Sequence, residues 1–113
     1  MSRLVNRRLH DVLVSCDFIA RHTEGLTLED YLQSELIRAA VERKLGIIGE
    51  ALHQAEEHDP DIGERIPDLR RIVGMRNRLI HGYNATDDDL VWTTLQRRLP
   101  ALRAQVANML EVD

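Results

Sequence analysis

The sequence predicts an all-α protein, an antiparallel bundle of four to five helices. Three observations predict it. Apolar residues recur at three- and four-residue spacing in four successive stretches. Period-two alternation, the mark of a half-buried strand, is absent. One apolar stripe runs for about thirty residues, long enough to be the spine around which so short a chain packs.

The first helix is expected from about Leu4 to His22, with Leu9, Val12, Leu13, Cys16 and Ile19 on its buried face. It should stop near Thr23-Glu24-Gly25, because glycine takes the left-handed turn that ends a helix. The second starts at Thr27, whose hydroxyl can cap the amide of Asp30, and Glu29 and Asp30 suit the positive end of the helix dipole. Ile37, Val41, Leu45, Ile48, Leu52 and Ala55 then carry the long stripe to Asp59-Pro60, where proline cannot donate to the helical ladder. Pro67 suits the first turn of a third helix. That helix runs to about His81, with Ile72, Met75 and Leu79 inward and Gly82 as its stop. Thr86 with Asp87, Asp88 and Asp89 opens a fourth through Val91, Trp92 and Leu95. Pro100 either kinks it or restarts it as a last helix through Leu102, Val106 and Leu110.

A chain of 113 residues fits one domain, residues 1–113. No apolar run approaches the roughly 18–20 residues of a membrane span, and no charged-then-apolar signal segment opens the chain. Cys16 is the single cysteine, so an internal disulfide is excluded and a reducing cytoplasm is the simplest compartment. Cys16 also has no His or cation nearby in sequence to activate it as a nucleophile. The net charge is −4, which makes the whole molecule a poor nucleic-acid magnet. Between Arg65 and Gly82, however, Arg65, Arg70, Arg71, Arg76 and Arg78 face only Asp68. A basic strip on an acidic body is compatible with a phosphate-bearing ligand. It is equally compatible with arginine being this chain's default cation, since Lys44 is its only lysine.

Residues 75–83, MRNRLIHGY, hold the polar groups that a plain core helix does not need. On a continuous helix Asn77 and His81 lie about 40° apart, nearly on one face, whereas Arg76 is about 140° round from His81. Arginine's reach at a helix end, or a two-fold axis nearby, could bring the two together. Histidine exchanges a proton near neutral pH, and arginine offers a fixed fork of donors to a charged phosphoryl group. Asn77 adds a neutral donor and acceptor. That set suits cleavage of an RNA phosphodiester by 2′-hydroxyl attack, without metal or other cofactor. Spacing alone also fits a helix C-terminus at which Arg78 and His81 complement the dipole.

Read as a whole, GMRNRLIHGY resembles the signature of the HEPN superfamily, and specifically its HepT-like toxin branch, R-N-x-x-x-H-x-Y. AVERKLGIIGEA (residues 40–51) resembles the second-helix signature of that branch. RIPDLRRIVGMRN and DLVWTTLQRRLPAL resemble its approach to the motif and its closing helix. The resemblance implies an all-helical homodimer whose paired motifs meet in a composite ribonuclease cleft. It further implies a toxin whose partner antitoxin is a minimal nucleotidyltransferase that adds AMP to the motif tyrosine. Carried over, Arg76 and His81 are catalytic, Asn77 assists, and Tyr83 carries the modification; read without the resemblance, Tyr83 is an aromatic sealing the bundle end. Glu50, in the Gly-Glu-Ala turn that packs near the motif helix in that branch, is the expected support for Arg76. The chain departs from the branch at Asp68, where Trp is common after Ile-Pro, and at Asn84, where an aromatic often follows the tyrosine. Both changes alter the cleft rim.

Two rivals stand beside the nuclease reading: a non-catalytic helical dimer that presents substrate to a nucleotidyltransferase, and a structural dimer with a nucleotide in its basic cleft. Glu50 and His53 also match the E-x-x-H pattern of di-iron bundles, but such a site needs two copies. His53 is otherwise expected on the solvated side of the long helix. His10, His22 and His58 suggest no metal cluster, and Met75 and Trp92 read as packing.

Overall fold

The computed structural model describes residues 1–80 and 87–112, and every regular element among them is helical. Helix α1 spans Arg3–Thr23, its first turn closed by the Ser2 hydroxyl accepting from Val5 N–H at 3.1 Å. Val5, Leu9, Val12, Cys16 and Ile19 are buried along one face, and Leu13 is partly buried at its margin. Gly25 ends the turn after α1 at φ 78°, a conformation that costs other residues steric strain. Helix α2, Leu28–Gln33, begins with a complete capping box: Asp30 N–H donates to Thr27 Oγ1 and Thr27 N–H donates to Asp30 Oδ2.

The expected thirty-residue second helix is not continuous. Ser34 adopts an extended backbone (φ −105°, ψ 98°), donates its N–H to Tyr31 O, and accepts from Ile37 N–H through its hydroxyl. It therefore closes α2 and caps α3, Glu35–His58. The break has a packing cause. It lets Tyr31 turn fully into the core, 5.3 Å from the Trp92 ring, while Val41, Leu45, Ile48, Leu52 and Ala55 of α3 face inward along a separate stripe. Burial of the Tyr31 phenol, reinforced by Asp88 and Glu42, pushes its ionisation upward.

A one-turn helix α4, Asp61–Arg65, follows and was not anticipated; it seats Ile62 and, just beyond it, Ile66, both fully buried. Helix α5, Leu69–Ile80, starts two residues after Pro67, with Leu69, Ile72 and Met75 buried. Asp87 caps α6, Asp88–Arg97, by accepting from Leu90 N–H at 3.1 Å. The chain then restarts as α7, Leu99–Val112, with Pro100 in the first turn, where its missing N–H costs nothing. Leu99, Leu102, Val106 and Met109 are buried along it, and Leu110 is partly buried.

Helix α3 is the common neighbour: α1, α2, α4 and α5 all pack on it, α7 packs on α1, and α6 packs on α7 and α2. Each fully buried leucine or isoleucine contributes roughly 1.5–3 kcal/mol of transfer free energy, so the Leu45, Ile48 and Leu52 stripe holds α1 and α5 on either side. Arg103 of α7 donates to Asp17 of α1 at 2.5 Å and holds that carboxyl below its ordinary range. Burial, aided by Asp17, pushes the Cys16 thiol up to about 12, so it packs as an inert apolar group. No described helix is long and apolar enough to cross a membrane.

Candidate active site

The approach of α5 to α3 is set by one missing side chain. Gly49 is buried in α3, and a Cβ there would overlap Cβ of Arg76 and stand 2.8 Å from its Cγ and 3.4 Å from the Ile72 carbonyl. Only glycine lets the stem of Arg76 lie flat against α3. The next residue, Glu50, then receives the guanidinium: Arg76 Nη2 donates to Glu50 Oε2. The other carboxylate oxygen of Glu50 accepts from Gln54 Nε2 at 2.7 Å, one turn further along α3. Arg76 Nη1 donates to Asn77 Oδ1 at 2.8 Å. A chain of hydrogen bonds thus runs Gln54–Glu50–Arg76–Asn77.

This chain orients rather than stabilises. The Arg76 and Glu50 side chains are 24% and 39% exposed, and ion pairs that wet contribute about 0–1 kcal/mol. What they gain is direction. With both terminal nitrogens of Arg76 anchored and its Nε enclosed, the guanidinium plane is fixed before any ligand arrives. Asn77 spends its amide oxygen on Arg76, so its Nδ2 donors are what it can offer outward.

Arg76 and Glu50 line an open groove of about 730 Å³ between α1, α3 and α5. Arg8, Arg43 and Arg76 face Asp11, Glu42 and Glu50 along it, with apolar floor from Ile47, Ala51 and Leu79. Its formal charges cancel, unlike the basic strip expected from the sequence. Part of that strip is also spent elsewhere: Arg70 pairs with Glu56 at 2.5 Å. Among the predicted site residues, the structure brings together Arg76, Asn77 and Glu50. His81 and Tyr83 lie outside the described residues, as do Gly82, Asn84 and Thr86. His53 is about half exposed and pairs with Glu57 at 3.0 Å, on the wet side of α3, whereas Glu50 turns to Arg76. The E-x-x-H pair thus splits between two partners.

Sequence reasoning placed the Gly-Glu-Ala turn near the motif helix without giving Gly49 a role of its own, and it passed over Gln54 and Arg8. A signal existed for Gly49, since a glycine inside a helix costs about 1 kcal/mol against alanine and usually marks a close approach. Gln54 is four residues after Glu50, the spacing of one helical face. Arg8 has no local signal.

Three comparisons bear on this geometry. The profile of the family described as Ribonuclease HepT-like matches residues 12–109. The chain is 30% identical over 105 residues to a protein of Thermococcus cleftensis named as a probable ribonuclease HepT, covering 93% of this chain and 94% of that one. It is 32% identical over 106 residues to a candidate RNase of Methanocaldococcus jannaschii, covering 92% and 94%. A candidate RNase of Caldanaerobacter subterraneus subsp. tengcongensis is 30% identical over 105 residues, covering 93% of each. No solved structure matches the chain.

Proposed function

Because the chain belongs to the HepT-like ribonuclease family, we propose that it is a metal-independent endoribonuclease, the toxin of a toxin–antitoxin pair. The observation that carries this reading is the seat of Arg76: a guanidinium pre-oriented by Glu50 and Asn77, opening onto a groove large enough for a nucleotide.

In the proposed reaction, the 2′-hydroxyl oxygen attacks the adjacent phosphorus and the bond to the 5′-oxygen breaks. His81 exchanges the proton, removing it from the nucleophile or delivering it to the leaving oxygen. Arg76 meets the charge that grows on the phosphoryl oxygens, and because its orientation is already set, no reorganisation is spent at the transition state. Asn77 holds the scissile group through its outward N–H donors. The products are a 2′,3′-cyclic phosphate and a 5′-hydroxyl.

The proposal includes an antiparallel helical bundle working as a homodimer, in which the two copies bring Arg76 and His81 into one cleft. Its partner is a minimal nucleotidyltransferase that adds AMP to Tyr83. Added nucleotides would place bulk and negative charge where the substrate phosphate must sit. The proposed compartment is the cytoplasm.

The test is cleavage of total RNA in excess chelator by purified wild type, Arg76→Ala and His81→Ala, with the cut ends mapped. Wild type is expected to leave 2′,3′-cyclic phosphates, and both variants to lose at least about 100-fold in rate while keeping their helical circular dichroism. Full cleavage by both variants would overturn the assignment. Intact-mass analysis after co-expression with the neighbouring nucleotidyltransferase tests Tyr83: no added nucleotide mass counts against modification.

A further inference from the structure

The groove holds a second arginine built like Arg76. Arg8, on α1, donates from Nη1 to Asp11 Oδ2 at 3.1 Å, and its Nε is enclosed, as is that of Arg76. Its side chain is 31% exposed against 24% for Arg76. Each guanidinium is thus braced by a carboxylate, has its Nε buried without a hydrogen-bond partner among the described residues, and belongs to a side chain that lines the groove. A braced arginine has already lost most of its rotamer freedom, so little entropy remains to be lost on binding. Arg43, which also lines the groove, is exposed and has no such brace among the described residues.

Volume and charge point the same way. About 730 Å³ lies well inside the ~300–1,000 Å³ typical of small-molecule sites, and one phosphate would leave most of it empty. Because the lining charges cancel, a polyanion is not drawn in by a general field. It must be held by directed hydrogen bonds at fixed points, and the groove has two pre-oriented forks to supply them.

We infer that Arg8 binds the phosphate next to the scissile one, so that the substrate spans at least two consecutive phosphates between α5 and α1. The inference rests on the endonuclease reading above and extends it with a binding subsite.

The experiment measures KM and kcat of the full chain on a single-stranded RNA oligonucleotide over a range of salt, for wild type, Arg8→Gln, Arg8→Lys and Arg7→Gln. Arg7 is exposed on the same helix and does not line the groove. Arg8→Gln should raise KM by about tenfold with kcat within twofold of wild type, because it removes binding common to ground and transition states. The slope of log kcat/KM against log salt should shrink by about 0.7, the share of one phosphate contact on a single strand. Arg8→Lys should keep the slope and raise KM by a smaller factor, while Arg7→Gln leaves KM unchanged. The subsite is overturned if Arg8→Gln matches wild type in KM and slope, or if Arg7→Gln matches Arg8→Gln. Should Arg8→Gln lose its helical circular dichroism, Arg8→Lys decides: an unchanged KM there means Arg8 only braces α1. Wild type that cleaves no RNA overturns the endonuclease reading itself, which separates the two failures.

Discussion

Gly49→Ala isolates the contact on which the site depends. The added methyl would overlap Cβ of Arg76 and stand 2.8 Å from its Cγ, with the Ile72 carbonyl at 3.4 Å. Carbon atoms pack at about 3.5–4.0 Å, so α5 must retreat by roughly 1 Å. The obstacle is the root of a side chain, not a flexible tip. Overpacking of this kind costs about 1–3 kcal/mol, which in a chain of this length lowers Tm by roughly 4–12 °C. The same retreat carries Arg76 away from Glu50, and a misplacement of about 1 Å can cost on the order of 100-fold in rate. The controls are built in. Gly46 of α3 and Gly74 of α5 have open space around the same methyl, and there alanine should gain about 0.5–1 kcal/mol from helix propensity alone. Thermal unfolding followed by circular dichroism, with RNA cleavage on the same preparations, reads both effects. If Gly49→Ala melts as high as Gly46→Ala and cleaves at the wild-type rate, the close approach of α5 does not set the site.

Glu50→Gln should lower kcat about tenfold or more, since the guanidinium loses its charged brace, while KM falls or stays level because the groove gains a positive charge. A raised KM with unchanged kcat would refute orientation as its role. The buried Cys16 thiol gives a pH signature, because its folded value near 12 lies above the ordinary 9.0. Its contribution is therefore fully present below pH 9 and is lost between about 9 and 12, at up to about 1.4 kcal/mol per pH unit, as the unfolded chain ionises first. Chemical denaturation at pH 8 and pH 10 against Cys16→Ala tests this: equal pH dependence in both proteins would refute it. Removing the capping box with Thr27→Ala should cost about 1 kcal/mol, checked by the urea midpoint at unchanged slope.

Where local chemistry and long-range packing agree, the helices were legible. The cap at Thr27, the left-handed stop at Gly25, and the Val41-to-Ala55 stripe all follow from rules acting within one or two turns. The break at Ser34 was not legible because no proline or glycine marks it and apolar residues, Leu32 and Leu36, stand on both sides of it. Leu36 is in fact 79% exposed, so the run of apolar residues there does not trace a buried face. What decides the break is Tyr31 meeting Trp92, a contact across sixty-one positions of sequence. The site divides the same way. Arg76, Asn77 and Glu50 were reached through motif and resemblance, whereas Arg8 enters only because α1 and α5 flank α3.

The cancelled charge of the groove bears on how an acidic protein could cleave RNA. A strongly basic cleft would hold substrate, product and unreactive RNA alike, and binding shared by ground and transition states does not raise kcat. Arginines braced by Glu50 and Asp11 attract a singly charged phosphodiester only weakly from a distance, because each is already neutralised. Their N–H groups nevertheless remain aimed. As the phosphoryl oxygens gain charge at the transition state, those fixed donors strengthen without having to move. At Arg76 the Glu50 carboxylate therefore exchanges general affinity for selectivity toward the charge that appears only during reaction. On this account removing the Glu50 brace should tighten RNA binding and slow its cleavage, a pairing that simple loss of a binding residue does not produce, whereas removing the Asp11 brace of Arg8 should leave kcat unchanged.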